Sequence, residues 1–257
     1  MNLELDQKYF LVTGASRGIG KAIAERLLNE GATVGLVSRG SEHLEKTVSE
    51  LQNRFGMDRV EKFTADCANE TGLQAIKKHI ERKWKRLDGV VANVGDGRSV
   101  SDAVPDEEQW STVWRANFET ALCTTRVFLP ILQATKGCLL FTSSICGLEA
   151  FGAPIDYSTA KTTVIAFAQN LARKVAPEVR VNVLAPGNVN FPGSSWDEKL
   201  SANPRKVKAM LKSRVPMRRF GKPEEIADVA VFLCSNKASF ITGTVLRVDG
   251  GQVSGVL

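Results

Sequence analysis

The sequence has little from which metal sites or disulfide frameworks are built: its 257 residues include five cysteines and two histidines. Cys67, Cys123, Cys138, Cys146 and Cys234 are odd in number and widely spaced, form no CxxC pair and lack a histidine at zinc-ligand spacing. That pattern predicts reduced thiols, no metal and a cytoplasmic protein. Long apolar runs are missing too. None approaches the ~18 residues of a transmembrane helix, and Leu3-Glu4-Leu5-Asp6 is acidic where an export signal is basic, so neither membrane insertion nor export is expected. No Lys/Arg block or aromatic-basic interleaving marks a nucleic-acid surface. The net charge of +6, from 34 Lys plus Arg against 28 Asp plus Glu, therefore reads mostly as solvated surface.

A hydrophobic content of 43% is enough for a substantial core. Short β-branched runs at Tyr9–Val12, Thr33–Val37, Val60–Ala65, Val90–Ala92, Gly137–Thr142, Val179–Leu184 and Val245–Val248 read as strands. Helical periodicity occupies most of the intervals between them. It runs from Ile19 to Gly31 and over Glu42–Arg54, Glu70–Lys83, Glu107–Arg115, Phe118–Gln133, Tyr157–Val175 and Glu224–Cys234. Strands alternating with helices predict a doubly wound α/β fold of Rossmann type, a mostly parallel seven-stranded sheet with helices on both faces. With no linker and no fixed-period repeat, residues 1–257 are expected to form one domain. The stretch from about 186 to 203, rich in Gly, Pro, Asn and Ser, lacks periodicity and reads as a substrate loop.

Thr13-Gly14-Ala15-Ser16-Arg17-Gly18-Ile19-Gly20 lies between the first strand and the first helix. In that position the glycines permit a tight turn, and the helix N-terminus offers free N–H groups to a diphosphate, which points to a dinucleotide. This TGxxxGxG spacing, with Asn93-Val94-Gly95, Ser144, Tyr157-Ser158-Thr159-Ala160-Lys161, Pro186-Gly187 and Val248-Asp249-Gly250-Gly251, resembles the short-chain dehydrogenase/reductase family, including its 3-oxoacyl-(acyl-carrier-protein) reductases. The motifs follow the family's order over nearly the whole chain.

Cofactor choice is argued from the end of the second strand. An acid there would bind the ribose hydroxyls of NAD and repel a 2′-phosphate, but this chain has Ser38-Arg39. Arg39 and Arg17 could pair with a phosphate and Ser38 could add a hydroxyl, so NADP is expected; the alternative is that both arginines are simply solvated. The resemblance assigns Asp66 and Cys67 to adenine, through the carboxylate and a backbone N–H respectively. It also places Pro186, Gly187 and Val189 beside the nicotinamide. Asn93 reads as a structural contribution to the same pocket.

Tyr157 and Lys161 are four residues apart at the start of a helix and share a face. A neighbouring ammonium is expected to lower the tyrosine pKa from about 10 and make it a tunable acid/base. The resemblance implies a full set of Asn117, Ser144, Tyr157 and Lys161. Tyr157 would donate a proton as hydride reaches carbon, Ser144 would stabilise the developing charge, and Lys161 would hold the nicotinamide ribose. The Asn117 backbone carbonyl would hold a relay water. Cys146 reads as a small apolar filler near the site, and His43 and His79 as solvated.

Two places depart from the family pattern. Phe191 stands where a threonine is usual; with Trp196 it reads equally as a lid or as a local apolar plug. Asp96-Gly97-Arg98 replaces small apolar residues and suggests a polar substrate. The expected activity is NADPH-dependent reduction of a ketone, or the reverse oxidation of a secondary alcohol. A 3-oxoacyl thioester is the first candidate, weakened by Ala176-Pro177-Glu178 where carrier-dependent reductases often have a basic or small residue. A polyol, sugar or secondary-metabolite ketone is the alternative. A non-catalytic NADP-binding regulator is the competing class. The family also implies a homodimer or homotetramer built through Phe118–Gln133 and Tyr157–Val175.

Overall fold

The computed structural model describes residues 2–255. Seven strands, β1 (Tyr9–Thr13), β2 (Thr33–Ser38), β3 (Val60–Thr64), β4 (Gly89–Ala92), β5 (Cys138–Thr142), β6 (Arg180–Pro186) and β7 (Val245–Val248), form one parallel sheet. Their order is β3-β2-β1-β4-β5-β6-β7, so the chain reverses its winding between β1 and β4. The expected doubly wound sheet is what the chain adopts. Ligands bind at such a switch point because the crossovers leave in opposite directions and open a crevice at the carboxyl ends of the strands.

Two cores cover the two faces. On one, α1 (Gly18–Asn29), α2 (Ser41–Phe55) and α9 (Pro223–Cys234) bury Ile23, Leu27, Leu44, Leu51 and Val231 against β1 and β2. On the other, α3 (Glu70–Lys83), α5 (Thr120–Thr135) and α6 (Ile155–Val175) bury Leu73, Ile80, Phe128, Leu132 and Val164. The central strands β4 and β5 are buried along their entire length, which explains why they read as continuous apolar runs rather than alternating ones.

Three expectations are corrected. The segment from 186 to 203 is not one structureless loop, because α7 (Ser195–Ala202) occupies its second half and α8 (Pro204–Arg214) follows at once. Local signals for both existed: the Ser194 hydroxyl accepts the Asp197 N–H at 3.0 Å, and Asn203 caps Lys206 at 3.0 Å ahead of Pro204. Periodicity failed because α7 buries none of its residues and α8 buries only Val207 and Leu211. The helical patterns around Asn117 are also continuous rather than separate. Here α4 (Glu107–Trp114) runs into a π turn over Arg115–Glu119 and then into α5. Finally, His79 is not merely solvated: its half-buried ring places Nε2 2.7 Å from Glu61, a carboxylate that also accepts from Trp84 Nε1 at 2.6 Å.

No helix among the described residues is long and apolar enough to cross a membrane. All five cysteines are free.

Candidate active site

A cleft of about 560 Å³ runs along the carboxyl ends of the strands across the switch point. Gly14, Ser16, Arg17, Ile19, Ser38, Arg39, Asp66, Cys67, Asn93, Gly95, Ser144, Tyr157, Lys161, Pro186, Gly187 and Val189 all line it. Gly18, Gly20 and Asn117 do not line it but adjoin the lining residues Phe191, Gly14 and Gly95 respectively.

At one end, the glycine turn enters α1. Gly20 has no room for a side chain, because a Cβ there would lie 2.3 Å from the Gly14 carbonyl oxygen and 2.6 Å from Asn93 Nδ2. Asn93 ties β4 to the turn: its N–H donates to Thr13 Oγ1 at 3.0 Å and its amide to the Thr13 and Gly14 carbonyls at 3.3 Å each. The α1 N-terminus has no side-chain cap and no acid in its first turn, so its N–H groups remain for an anion. Ser38 Oγ donates to Ser16 Oγ at 3.3 Å, with Arg17 and Arg39 exposed beside them. Neither arginine is in an ion pair among the described residues, so two cations and two hydroxyls fit a phosphate monoester. Asp66 holds Arg115 at 3.1 Å and the Ala68 N–H at 3.0 Å, while burial pushes the Cys67 thiol up to about 12, an inert form. These groups are suited to NADP.

At the other end, β5 delivers Ser143 and Ser144. Ser143 Oγ donates to the Lys161 carbonyl at 2.8 Å and is structural. Ser144, in extended conformation, caps the following 3-10 turn by accepting the Cys146 N–H at 3.2 Å and faces Tyr157. Tyr157 is aimed by Asp156, whose carboxylate accepts the Tyr157 N–H at 2.7 Å and the Ser99 hydroxyl at 2.5 Å. Asp156 was not found from sequence, because its acceptor role depends on a loop 57 residues away. Gly95 is needed for proximity: a Cβ there would meet Lys161 Nζ at 2.7 Å and Asn117 Oδ1 at 2.9 Å. Asn117, buried in the π turn, accepts the Asp96 N–H at 3.1 Å and donates to the Asp96 and Val113 carbonyls at 2.9 and 3.0 Å. Its side chain therefore anchors the loop after β4.

The electrostatics differ from expectation. Lys161 does not lower Tyr157; burial pushes the phenol up to about 12, with the Ser144 hydroxyl drawing it down only in part. Lys161 is itself buried, its ammonium donates to the Thr142 carbonyl at 3.1 Å and stands 5.8 Å from the Tyr157 ring centroid, and burial pulls it down to about 8. At neutral pH the pair is thus a neutral phenol beside a costly buried ammonium. Between about 8 and the ordinary 10.5, the unfolded chain holds a proton that the folded chain has lost, so wild-type stability rises with pH across that window. Lys161→Met is expected to be more stable at pH 7 by about 1–2 kcal/mol after the orphaned Thr142 carbonyl is set against the relieved charge. The gain is a few degrees in Tm, closing as pH approaches 10.5; calorimetry showing no gain at pH 7 would refute it.

The mouth departs from expectation as well. Arg98 does not offer its charge to a ligand, since it pairs with Asp96 at 3.1 Å and Glu198 at 2.6 Å and donates to the Gly193 carbonyl at 3.0 Å. It clasps the loop after β4 to α7. Phe191 packs its ring on the glycine turn, where a Cβ on Gly18 would lie 2.4 Å from Cζ. Trp196 and Phe191 both line the cleft. Gln252 is a further wall residue invisible to spacing: its Oε1 accepts the Asn188 N–H at 2.8 Å and holds the Pro186-Gly187 turn. Burial raises the Cys146 thiol, which fits a filler rather than a nucleophile.

A doubly wound sheet with this glycine turn and a Ser, Tyr and Lys set at its switch point defines a dinucleotide-dependent oxidoreductase class. The chain belongs to the short-chain dehydrogenase/reductase family; residues 14–252 match the family model described as enoyl-(acyl carrier protein) reductase. It is 32% identical to a 3-oxoacyl-(acyl-carrier-protein) reductase of Thermotoga maritima over 98% of this chain and 100% of that protein. It is 34% identical to the corresponding reductase of Aquifex aeolicus, with the same coverage. Among solved structures, L-sorbose reductase from Gluconobacter frateurii, complexed with NADPH and L-sorbose, superposes with a TM-score of 0.92 at 29% identity, covering all of both chains.

Proposed function

We propose that this single-domain protein is an NADPH-dependent reductase of ketones, acting on a CH–OH group in the reverse direction. The observation that carries the reading is one cleft with a cationic, hydroxyl-lined phosphate end and a Ser144, Tyr157 and Lys161 cluster at its far end. Bound NADPH supplies the hydride. Tyr157 enters as the neutral phenol that burial favours and donates its proton to the substrate oxygen. Ser144 donates a hydrogen bond to the same oxygen as charge develops there. Lys161 would hold the nicotinamide ribose and return a proton to Tyr157, being resupplied by a relay water at the Asn117 backbone carbonyl. Gly14, Ser16, Gly18, Ile19 and Gly20 shape the diphosphate site, Ser38, Arg39 and Arg17 hold the 2′-phosphate, and Asp66 with the Cys67 backbone meets adenine. Asn93, Gly95, Pro186, Gly187 and Val189 form the nicotinamide wall.

Two substrate classes have support. The Thermotoga maritima and Aquifex aeolicus relatives are 3-oxoacyl-(acyl-carrier-protein) reductases, and the superposed structure is an L-sorbose reductase. Incubation with NADPH and a panel of both is expected to give cofactor oxidation; tight binding of NADPH with no turnover across the panel would establish a regulator instead. The reading also places the protein in the cytoplasm and as a homodimer or homotetramer through α5 and α6. Light scattering at the 28.0 kDa monomer mass would overturn that assembly.

A further inference from the structure

Between Glu198 and Glu224 the chain carries nine Lys or Arg and no Asp or Glu. The remaining 25 cations against 28 acids leave the rest of the chain slightly negative, so this segment accounts for the entire positive balance. They form no contiguous basic block in the sequence, but the fold gathers them in and around α8, on the rim of the cleft that holds Tyr157. Arg205, Lys206, Lys208, Lys212 and Arg214 are exposed. Among the described residues, neither they nor Lys199 is in an ion pair; the ion pairs beside them are Arg98 with Glu198 at 2.6 Å and Arg219 with Glu225 at 2.7 Å.

Helix stability does not account for this arrangement. Arg205 and Lys206 stand in the first turn of α8, where the macrodipole disfavours cations and where no acid is present. Lys208 and Lys212 are like charges one turn apart, which weakens a helix. A solvated surface would equally admit mixed signs, as the rest of the molecule does.

Two of the cations face the cleft. Arg214 lines it one turn beyond Met210, whose sulfur accepts Asn188 Nδ2 at 3.6 Å beside the Pro186-Gly187 turn. Lys199 lines it from α7, its ammonium stacked 4.7 Å from the Trp196 ring centroid. Its positive charge is felt at the Cys146 thiol, two residues from Ser144. Lys199 and Arg214 thus stand apart from Arg39 beside Ser38, while Arg17 reaches the Gly193 turn between the two ends, its Nη1 2.9 Å from where a Cβ on Gly193 would lie.

We propose that Lys199 and Arg214 form an anion subsite at the substrate mouth, so that the preferred substrate is a ketone carrying a carboxylate or a phosphate. The inference rests on the reductase reading of Tyr157. The guanidinium fork and the ammonium suit either anion, and the exposed cations of α8 focus a positive field that steers such a substrate inward.

The test compares keto acids of increasing chain length with the methyl ester of each, and a keto phosphate with its dephosphorylated ketone, at low and high salt. The best anion is expected to exceed its neutral counterpart about tenfold in kcat/KM, chiefly through KM, and to lose part of that advantage as salt screens it. Carboxylate and phosphate arms tell which anion is used. Lys199→Met combined with Arg214→Met brings the ratio of anion to neutral ketone close to one, and Lys199→Arg with Arg214→Lys restores it. Equal use of acid and ester, an advantage that survives the double Met change, or an advantage seen only with ketones tethered to an acidic protein overturns the proposal. Calorimetric titration of keto acid and ester into NADP-loaded protein reads the subsite without turnover. If no ketone is reduced, the reductase reading fails, while tighter binding of the acid that the double variant loses upholds the subsite and equal binding overturns it.

Discussion

Tyr157→Phe is expected to lower ketone reduction by about 10³-fold, within the range for loss of a positioned general acid. The substitution removes one oxygen and keeps the ring, so NADPH affinity and fold should persist. The effect belongs in kcat, because the proton is needed only as charge develops on the substrate oxygen. Single-turnover kinetics alongside fluorescence titration of NADPH would separate the two. Retention of more than about a tenth of the activity would sink the assignment. The pH profile should carry a matching signature. With Tyr157 near 12 the acid stays protonated through the physiological range, so reduction should hold from neutrality and fall as Lys161 loses its proton near 8.

Arg39→Asp is expected to shift the kcat/KM preference from NADPH toward NADH by about 10²-fold or more. One charge-assisted phosphate contact is worth roughly 1.5–3 kcal/mol, and the new carboxylate adds repulsion of the phosphate and an acceptor for the ribose hydroxyls. Arg39 can be changed without structural collapse because it is exposed and in no ion pair among the described residues. Its positive charge also holds Asp66 below the usual carboxylate range, together with the larger contributions of the Ala68 N–H and Arg115. The measurement is the cofactor ratio in steady state. An unchanged ratio would remove Arg39 from the phosphate site and leave Arg17 as its cation.

Much of the site was legible where chemistry depends on local spacing. A strand, a glycine turn and a helix are contiguous, and so are Tyr157 and Lys161 on one helical turn; backbone geometry alone brings such residues together. The alternation of strands and helices disclosed the sheet because a parallel pair demands a crossover. Features that spacing does not encode were misread. Arg98 reads as a free charge until Glu198, a hundred residues away along the chain, closes on it beside the neighbouring Asp96. Tyr157 and Lys161 looked like a mutually tuned pair, but burial acts on each more strongly than either acts on the other. The resemblance proposes a role for the Asn117 backbone carbonyl, and says nothing of its side chain, which anchors the loop after β4.

By itself, the sequence determined the class of fold, the phosphate turn, the serine that precedes Tyr157 by 13 residues and the absence of an acid after the second strand. All of these are set by residue type at short range. Tertiary structure alone decided where charge is free and where it is spent. It buried Lys161, left Tyr157 half-buried on the cleft wall, tied Arg98 to Asp96 and Glu198, and lifted α8 onto the rim with its cations in no ion pair among the described residues. The physical reason is that a formal charge is counted along the chain, but its effect depends on solvent and on partners within a few ångströms, which only folding brings together.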